Sequence, residues 1–302
     1  MRCIFCKQDS NDSQSVEHII PESLGSRKRI LPQGVVCDKC NNYFARKVEQ
    51  PILNQPWLRN LRAWHQVPTK KGNFPSLLGQ IAGANVKVSL RRENDGTVQF
   101  ATEKGSESPF LEAVVNSGFK TPLVFFVHDE NVPQREMARF LGKMAIEACA
   151  EIFAGNRDAH DKFVDEPFYD RMRDFARYGT GPDVWPFYQR RIYPVETMMR
   201  PPETNEWVQA GFGFSLFMTR KFETLFAFVF YGMEFVINVG GPSTMGYEEW
   251  LEEHNGISPL VERVGCRLIV TEQQNKLRHY LEGKFELEKG FEFDRAHGVN
   301  LP

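Results

Sequence analysis

The chain has 302 residues, 41% of them hydrophobic and 25% charged, with a net charge of −2. That balance excludes a disordered or fibrous polymer, and the length suits two ordinary domains. No apolar run reaches the roughly 18–20 residues of a membrane span, and the Met1-Arg2-Cys3 start lacks the apolar stretch of a signal peptide, so a cytoplasmic protein without membrane contact is expected.

Taken in chain order, the first feature is Cys3-x2-Cys6, followed after thirty residues by Cys37-x2-Cys40. Two C-x-x-C pairs in a cytosolic chain point to metal, and four thiolates hold Zn²⁺ tetrahedrally with no open position, so this zinc is structural. Between the pairs a strand is expected over 15–20, where neighbouring side chains face opposite sides. Glu17 and His18 address one site only if that strand bends near Pro21. Arg27, Lys28 and Arg29 fall in the loop after it. A helix is expected to open behind Cys37 with Asn41 on its first turn, Asn42 as the rival position, and Arg46 and Lys47 further along.

Positive charge is concentrated here. Residues 1–71 carry 12 Lys/Arg against 6 Asp/Glu, and the remainder carries 25 against 33. The excess suits a polyanion approaching one end of the molecule, and a solvated lysine face accounts for it equally well.

Beyond residue 55, Pro and Gly breaks surround strands. A hairpin is expected from 86–92 and 98–101 across Asn94-Asp95-Gly96, where Asp-Gly takes the positive φ of a tight turn. A strand follows over 122–127. Pro133 opens a helix to about Ala154 with Met137, Phe140, Leu141, Met144, Ala148, Cys149 and Ile152 on one buried stripe. A second helix is expected over 161–178, stopped near Gly179. Apolar stretches at 207–218, 224–231 and 234–239 fit an antiparallel meander. Cys149 and Cys266 fit buried thiols, the acidic run 249–253 an exposed helix face, and the remaining histidines show no metal spacing.

The run Val16-Glu17-His18-Ile19-Ile20-Pro21 between the cysteine pairs, with Asn41 directly after Cys40, resembles the HNH endonuclease superfamily, in the subgroup whose zinc knuckles brace a ββα-metal hairpin. The resemblance covers residues 3–50. It implies a zinc-stapled ββα-metal module over 1–55 and leaves the remainder unassigned; the strand and helix pattern beyond it reads as a larger α+β domain (56–302) with antiparallel strands, expected to select or regulate the cut, so the fold class is α+β. The resemblance also implies a metal-dependent endonuclease acting on DNA. His18 is then the general base, and Glu17 and Asn41 are oxygen ligands suited to a hard Mg²⁺ or Mn²⁺ ion. Arg27, Lys28, Arg29, Arg46 and Lys47 track phosphates, and the products carry 5′ phosphate and 3′ hydroxyl ends. Stand-alone nucleases of this build resemble restriction and anti-phage effectors. Two departures stand out: Ala45 occupies the place of a second helix ligand, and Gln33 stands near the place of the motif's middle Asn. Three readings stay open: a DNA nuclease, with a homodimer as one route to a double-strand break, an RNA nuclease, and a zinc-knuckle nucleic-acid-binding protein without catalysis.

Overall fold

The computed structural model describes residues 1–84, 86–93, 96–118, 123–125, 132–199, 206–262, 292–294 and 298–300. Near the N-terminus β1 (Glu17–His18) and β2 (Ile30–Leu31) form a short antiparallel ladder, Glu17 opposite Leu31 and His18 opposite Ile30. The expected strand over 15–20 is thus only two residues long. α1 (Asp38–Phe44) begins after Cys37, whose sulfur accepts the Cys40 amide and satisfies one donor of the first turn. The helical path runs on through a π turn at Ala45–Glu49 into α2 (Gln50–Leu53). Pro51 offers no N–H and its ring crowds the carbonyl four residues earlier, which widens the turn before it. Glu49, at the end of that turn, is buried.

α3 (Pro56–Trp64) starts on a proline, whose fixed φ suits a first helical turn. The expected hairpin is present as β4 (Lys87–Arg92) and β5 (Val98–Thr102), with Arg92 opposite Val98; Asn94 and Asp95 of its turn lie outside the described residues. β3 (Leu77–Ile81) precedes it, and after α4 (Glu107–Asn116) the strand β6 (Leu123–Phe125) completes an antiparallel sheet of order β5-β4-β3-β6.

α5 (Gln134–Phe153) is the central element. The stripe from Met137 to Cys149 is buried as its spacing requires, but the helix is covered on its other sides too: Ala138, Gly142, Lys143, Ala145, Glu147 and Ala150 are also buried. Ile152 departs from expectation at 67% exposure, because it sits in the last turn, where the helix emerges from the core. The single helix expected over 161–178 is two, α6 (Arg157–Asp165) and α7 (Asp170–Tyr178), joined by a 3-10 turn at Pro167–Tyr169. Pro167 excludes the helical conformation at Glu166, whose ψ is 113°. Gly179 ends α7 at φ 71°, as expected.

The main sheet comprises β7 (Phe187–Arg191), then, after the small pair β8 (Met198–Met199) and β9 (Val208–Gln209), the meander β10 (Phe212–Met218), β11 (Thr224–Phe230) and β12 (Met233–Asn238). Its order is β10-β11-β12-β7, all antiparallel. The stretch 207–218 divides at Ala210 and Gly211 into β9 and β10. In the β11–β12 turn Gly232 has φ 85°, and a Cβ there would lie 1.9 Å from the Tyr193 carbonyl oxygen, so only glycine fits.

Strands β11 and β12 are buried on both faces. Phe226, Phe228, Phe230, Phe235 and Ile237 join the core around α5, while Leu225, Ala227, Val229 and Val236 meet Tyr247, Leu251 and Leu260 of α8 (Met245–Glu253) and α9 (Pro259–Glu262). In α8, Glu249 and Glu253 make surface ion pairs with Lys221 and Arg220. The protein is therefore α+β with antiparallel sheets, and one hydrophobic core runs from Cys3, Ile4 and Phe44 through α5 to the main sheet. Among the described residues no helix is long and apolar enough to cross a membrane. Cys149 is buried as expected; Cys266 lies outside the described residues.

Candidate functional site

The chain reverses sharply after Cys3, where the Lys7 amide donates to the Cys3 carbonyl, and again after Cys37, where α1 begins. These two knuckles bring the four sulfurs within 4.8 Å of one another. Tetrahedral zinc with bonds of about 2.3 Å places sulfurs roughly 3.8 Å apart, and Cys6 Sγ lies 3.7 Å from Cys37 Sγ. The donors around the cluster also fit thiolates: the Cys37 amide donates to Cys3 Sγ at 3.4 Å and Arg177 Nε to Cys40 Sγ at 3.3 Å. The Cys40 side chain, hydrogen-bonded to Cys3, draws the Cys3 thiol down to about 5, while burial raises Cys6 to about 11. The site fits structural zinc.

The hairpin beside the knuckles is gripped from two sides. From α1, the Asp38 carboxylate accepts the amides of Gln14 at 3.1 Å and Ser15 at 2.9 Å, and the Asn41 side-chain amide donates to the Val16 carbonyl at 3.1 Å. Asn41 thus reaches the residue directly before Glu17, while Asn42 is exposed. From α5, Lys143 Nζ lies 2.6 Å from Glu17 Oε1 and 3.2 Å from the His18 carbonyl oxygen. Glu17 is 7% exposed and points inward; its neighbour His18 is half-buried. The alternation of a strand accounts for that divergence.

His18 Nδ1 is buried without a hydrogen bond, which leaves Nε2 as the nitrogen that solvent reaches. Burial lowers the imidazole's pKa, Glu22 opposes the shift and Lys70 adds to it, so the neutral ring prevails at neutral pH. A cleft of about 300 Å³ is lined by Glu22, Gly25, Arg27, Val67, Lys70 and Gly72, among others, and two of these, Glu22 and Lys70, act electrostatically on the His18 ring. Arg27 and Lys28 are exposed, as are Arg46 and Lys47 on the widened helix. Arg29 is committed elsewhere: it pairs with Glu151 at 2.9 Å and lies over Phe214 at 5.2 Å. Gln33 donates to the Ser13 carbonyl, away from the His18 strand.

Residues 3–56 match the HNH endonuclease family model. The HNH segment therefore carries a nuclease type of domain, whose members work with a divalent metal on nucleic acid. Compared as a whole with curated proteins and with solved structures, the chain shows no match.

Several residues outside the HNH segment complete its surroundings and were not read from the sequence. Arg2 and Lys7 pair with Asp165 and Asp170 at 2.9 and 2.7 Å. Arg139 donates to the Tyr43 hydroxyl at 2.8 Å, and Arg177 lies over the Tyr43 ring at 3.7 Å. Lys143 also faces Glu49 at 2.8 Å and Glu147 at 3.0 Å. Burial pushes the carboxyls of Glu17 and Glu147 up, against the opposing pull of Lys143. Burial alone would lower Lys143, but three carboxylates outweigh it and hold the ammonium charged. The available signal was a lysine and a glutamate four residues apart in the otherwise apolar middle of the helix, residues 140–150.

Proposed function

We propose that the protein is a metal-dependent HNH endonuclease that hydrolyses phosphodiester bonds of DNA. The observation that carries this is a neutral imidazole on a hairpin matched to the HNH family, with a solvent-reached nitrogen and, within electrostatic reach of the ring, Glu22 and Lys70 of a cleft that Arg27 also lines. His18 Nε2 takes a proton from a water molecule, whose oxygen bonds to phosphorus as the bond to the 3′ oxygen breaks. The leaving oxygen is protonated from solvent, giving 5′ phosphate and 3′ hydroxyl ends.

A hard cation suits the oxygen donors at the hairpin: Lys143 donates to Oε1 of Glu17, leaving Oε2, and the Asn41 amide is oriented by its bond to Val16 so that Oδ1 is available. Mg²⁺ or Mn²⁺ bound there supplies stabilisation of the charge on the scissile phosphate. The exposed Arg27, Lys28, Arg46 and Lys47 supply phosphate contacts, with Arg29 secondary because of its partner Glu151. Residues 56–302 select or regulate the cut. One site cuts one strand, so a double-strand break needs a homodimer or two encounters. A cytoplasmic role in restriction or anti-phage defence follows by analogy with stand-alone nucleases of this build.

The test is nicking of supercoiled plasmid by wild type and His18→Ala, each with Mg²⁺, Mn²⁺ or EDTA, and cleavage of single-stranded RNA in parallel. Metal-dependent nicking that disappears in His18→Ala is expected. Cleavage retained by the variant refutes His18 as base; cleavage of RNA alone moves the substrate; binding without cleavage of either points to a zinc-knuckle binding protein.

A further inference from the structure

Lys143 lies in the middle of α5, and its side chain has no exposure to solvent. Four oxygens surround its ammonium: Glu17 Oε1 at 2.6 Å and the His18 carbonyl at 3.2 Å accept its hydrogen bonds, and Glu49 Oε1 at 2.8 Å and Glu147 Oε2 at 3.0 Å pair with its charge. Two of these belong to adjacent residues of the hairpin, one to the widened helix behind it, and one to α5 itself. The hairpin needs such support. Its ladder is two residues long on each strand, and Gln33, the nearby amide within the HNH segment, is spent on Ser13. A catalytic group works only when its backbone and its neighbouring ligands are held within fractions of an ångström.

We propose that Lys143 is a positioning residue of the nuclease site: from a helix outside the HNH segment, its ammonium fixes the Glu17 carboxylate and the His18 backbone together. The proposal rests on the roles given to Glu17 and His18 above. Glu49 and Glu147 hold the ammonium in place, and the ammonium ties down Oε1 of Glu17. The competing assignment, in which the ammonium occupies the cation's own place, is disfavoured by its burial among four oxygens on three segments, a fixed arrangement and not an exchangeable one. The HNH segment by itself is then an incomplete site.

The experiment uses the full-length, zinc-loaded protein. Lys143→Met combined with Glu147→Leu removes the i,i+4 pair from the apolar middle of α5, and the buried carboxyls of Glu17 and Glu49, left without their cation, make the fold controls essential. Zinc content and cooperative melting report the fold; Mn²⁺ binding followed by electron paramagnetic resonance and plasmid nicking report the site. With the fold kept, Mn²⁺ affinity and kcat are expected to fall about 10–100-fold while KM for plasmid changes by less than about threefold. Wild-type Mn²⁺ affinity and kcat in the folded double variant overturn the proposal, and tighter Mn²⁺ binding overturns it in favour of a competing ammonium. Should the double variant not fold, Lys143→Arg keeps the charge but not the three-way geometry, and the same losses are expected; wild-type values there overturn the proposal. Should wild type cut neither DNA nor RNA, the nuclease reading fails, yet the Mn²⁺ comparison still decides: reduced affinity supports positioning, and equal affinity refutes it.

Discussion

His65 ends α3 and leads into the segment that borders the cleft, and its ring stacks on Tyr231 with centroids 3.8 Å apart and planes 9° from parallel. Burial, only partly offset by the Gln209 side chain, lowers its pKa from 6.5 to about 4. The folded chain therefore binds a proton less readily than the unfolded chain. The stability this represents is fully present above pH 6.5 and is lost progressively as pH falls toward 4. Between about pH 7.5 and pH 5, proton uptake by the unfolded imidazole favours unfolding by about 2 kcal/mol. His65→Phe keeps a ring for the stack and removes the titration. Urea unfolding of both proteins, followed by tryptophan fluorescence at each pH, isolates the effect, because every other titrating group cancels in the difference. The stability gap between variant and wild type is expected to move by about 2 kcal/mol toward the variant on acidification. A gap that moves by less than about 0.5 kcal/mol would refute the buried, neutral His65.

Two further outcomes follow from the site. Cys40→Ser is expected to lose zinc and to make residues 1–55 sensitive to trypsin, since apparent zinc free energies of about 10–16 kcal/mol exceed or match the stability of a whole domain, about 5–15 kcal/mol; a zinc-free variant with a protease-resistant N-terminus would contradict this. Arg27→Ala combined with Lys70→Ala is expected to reduce the slope of log affinity for duplex DNA against log salt by about 1.8, against a smaller change for Arg29→Ala, whose guanidinium pairs with Glu151. Equal slopes in all three proteins, measured by fluorescence anisotropy, would remove these side chains from the phosphate path.

The sequence by itself determined what rests on spacing and local chemistry. Two C-x-x-C pairs can bring four sulfurs together because each pair closes its own turn, and Cys37 capping its own helix puts Asn41 on the first turn whatever the rest of the chain does. Periodicity likewise gave the central helix and the meander, since a stripe at 3.6 residues or an apolar strand reports which side is buried. Tertiary structure decided where those elements meet. Nothing local in Lys143 or Glu147 says that their charges lie beneath Glu17 and His18, because that depends on α5 being enclosed on all sides. The direction of Glu17 was decided in the same way: alternation allows its carboxylate to face either the cleft or the core, and it faces the core because a buried ammonium more than a hundred residues away waits there for it.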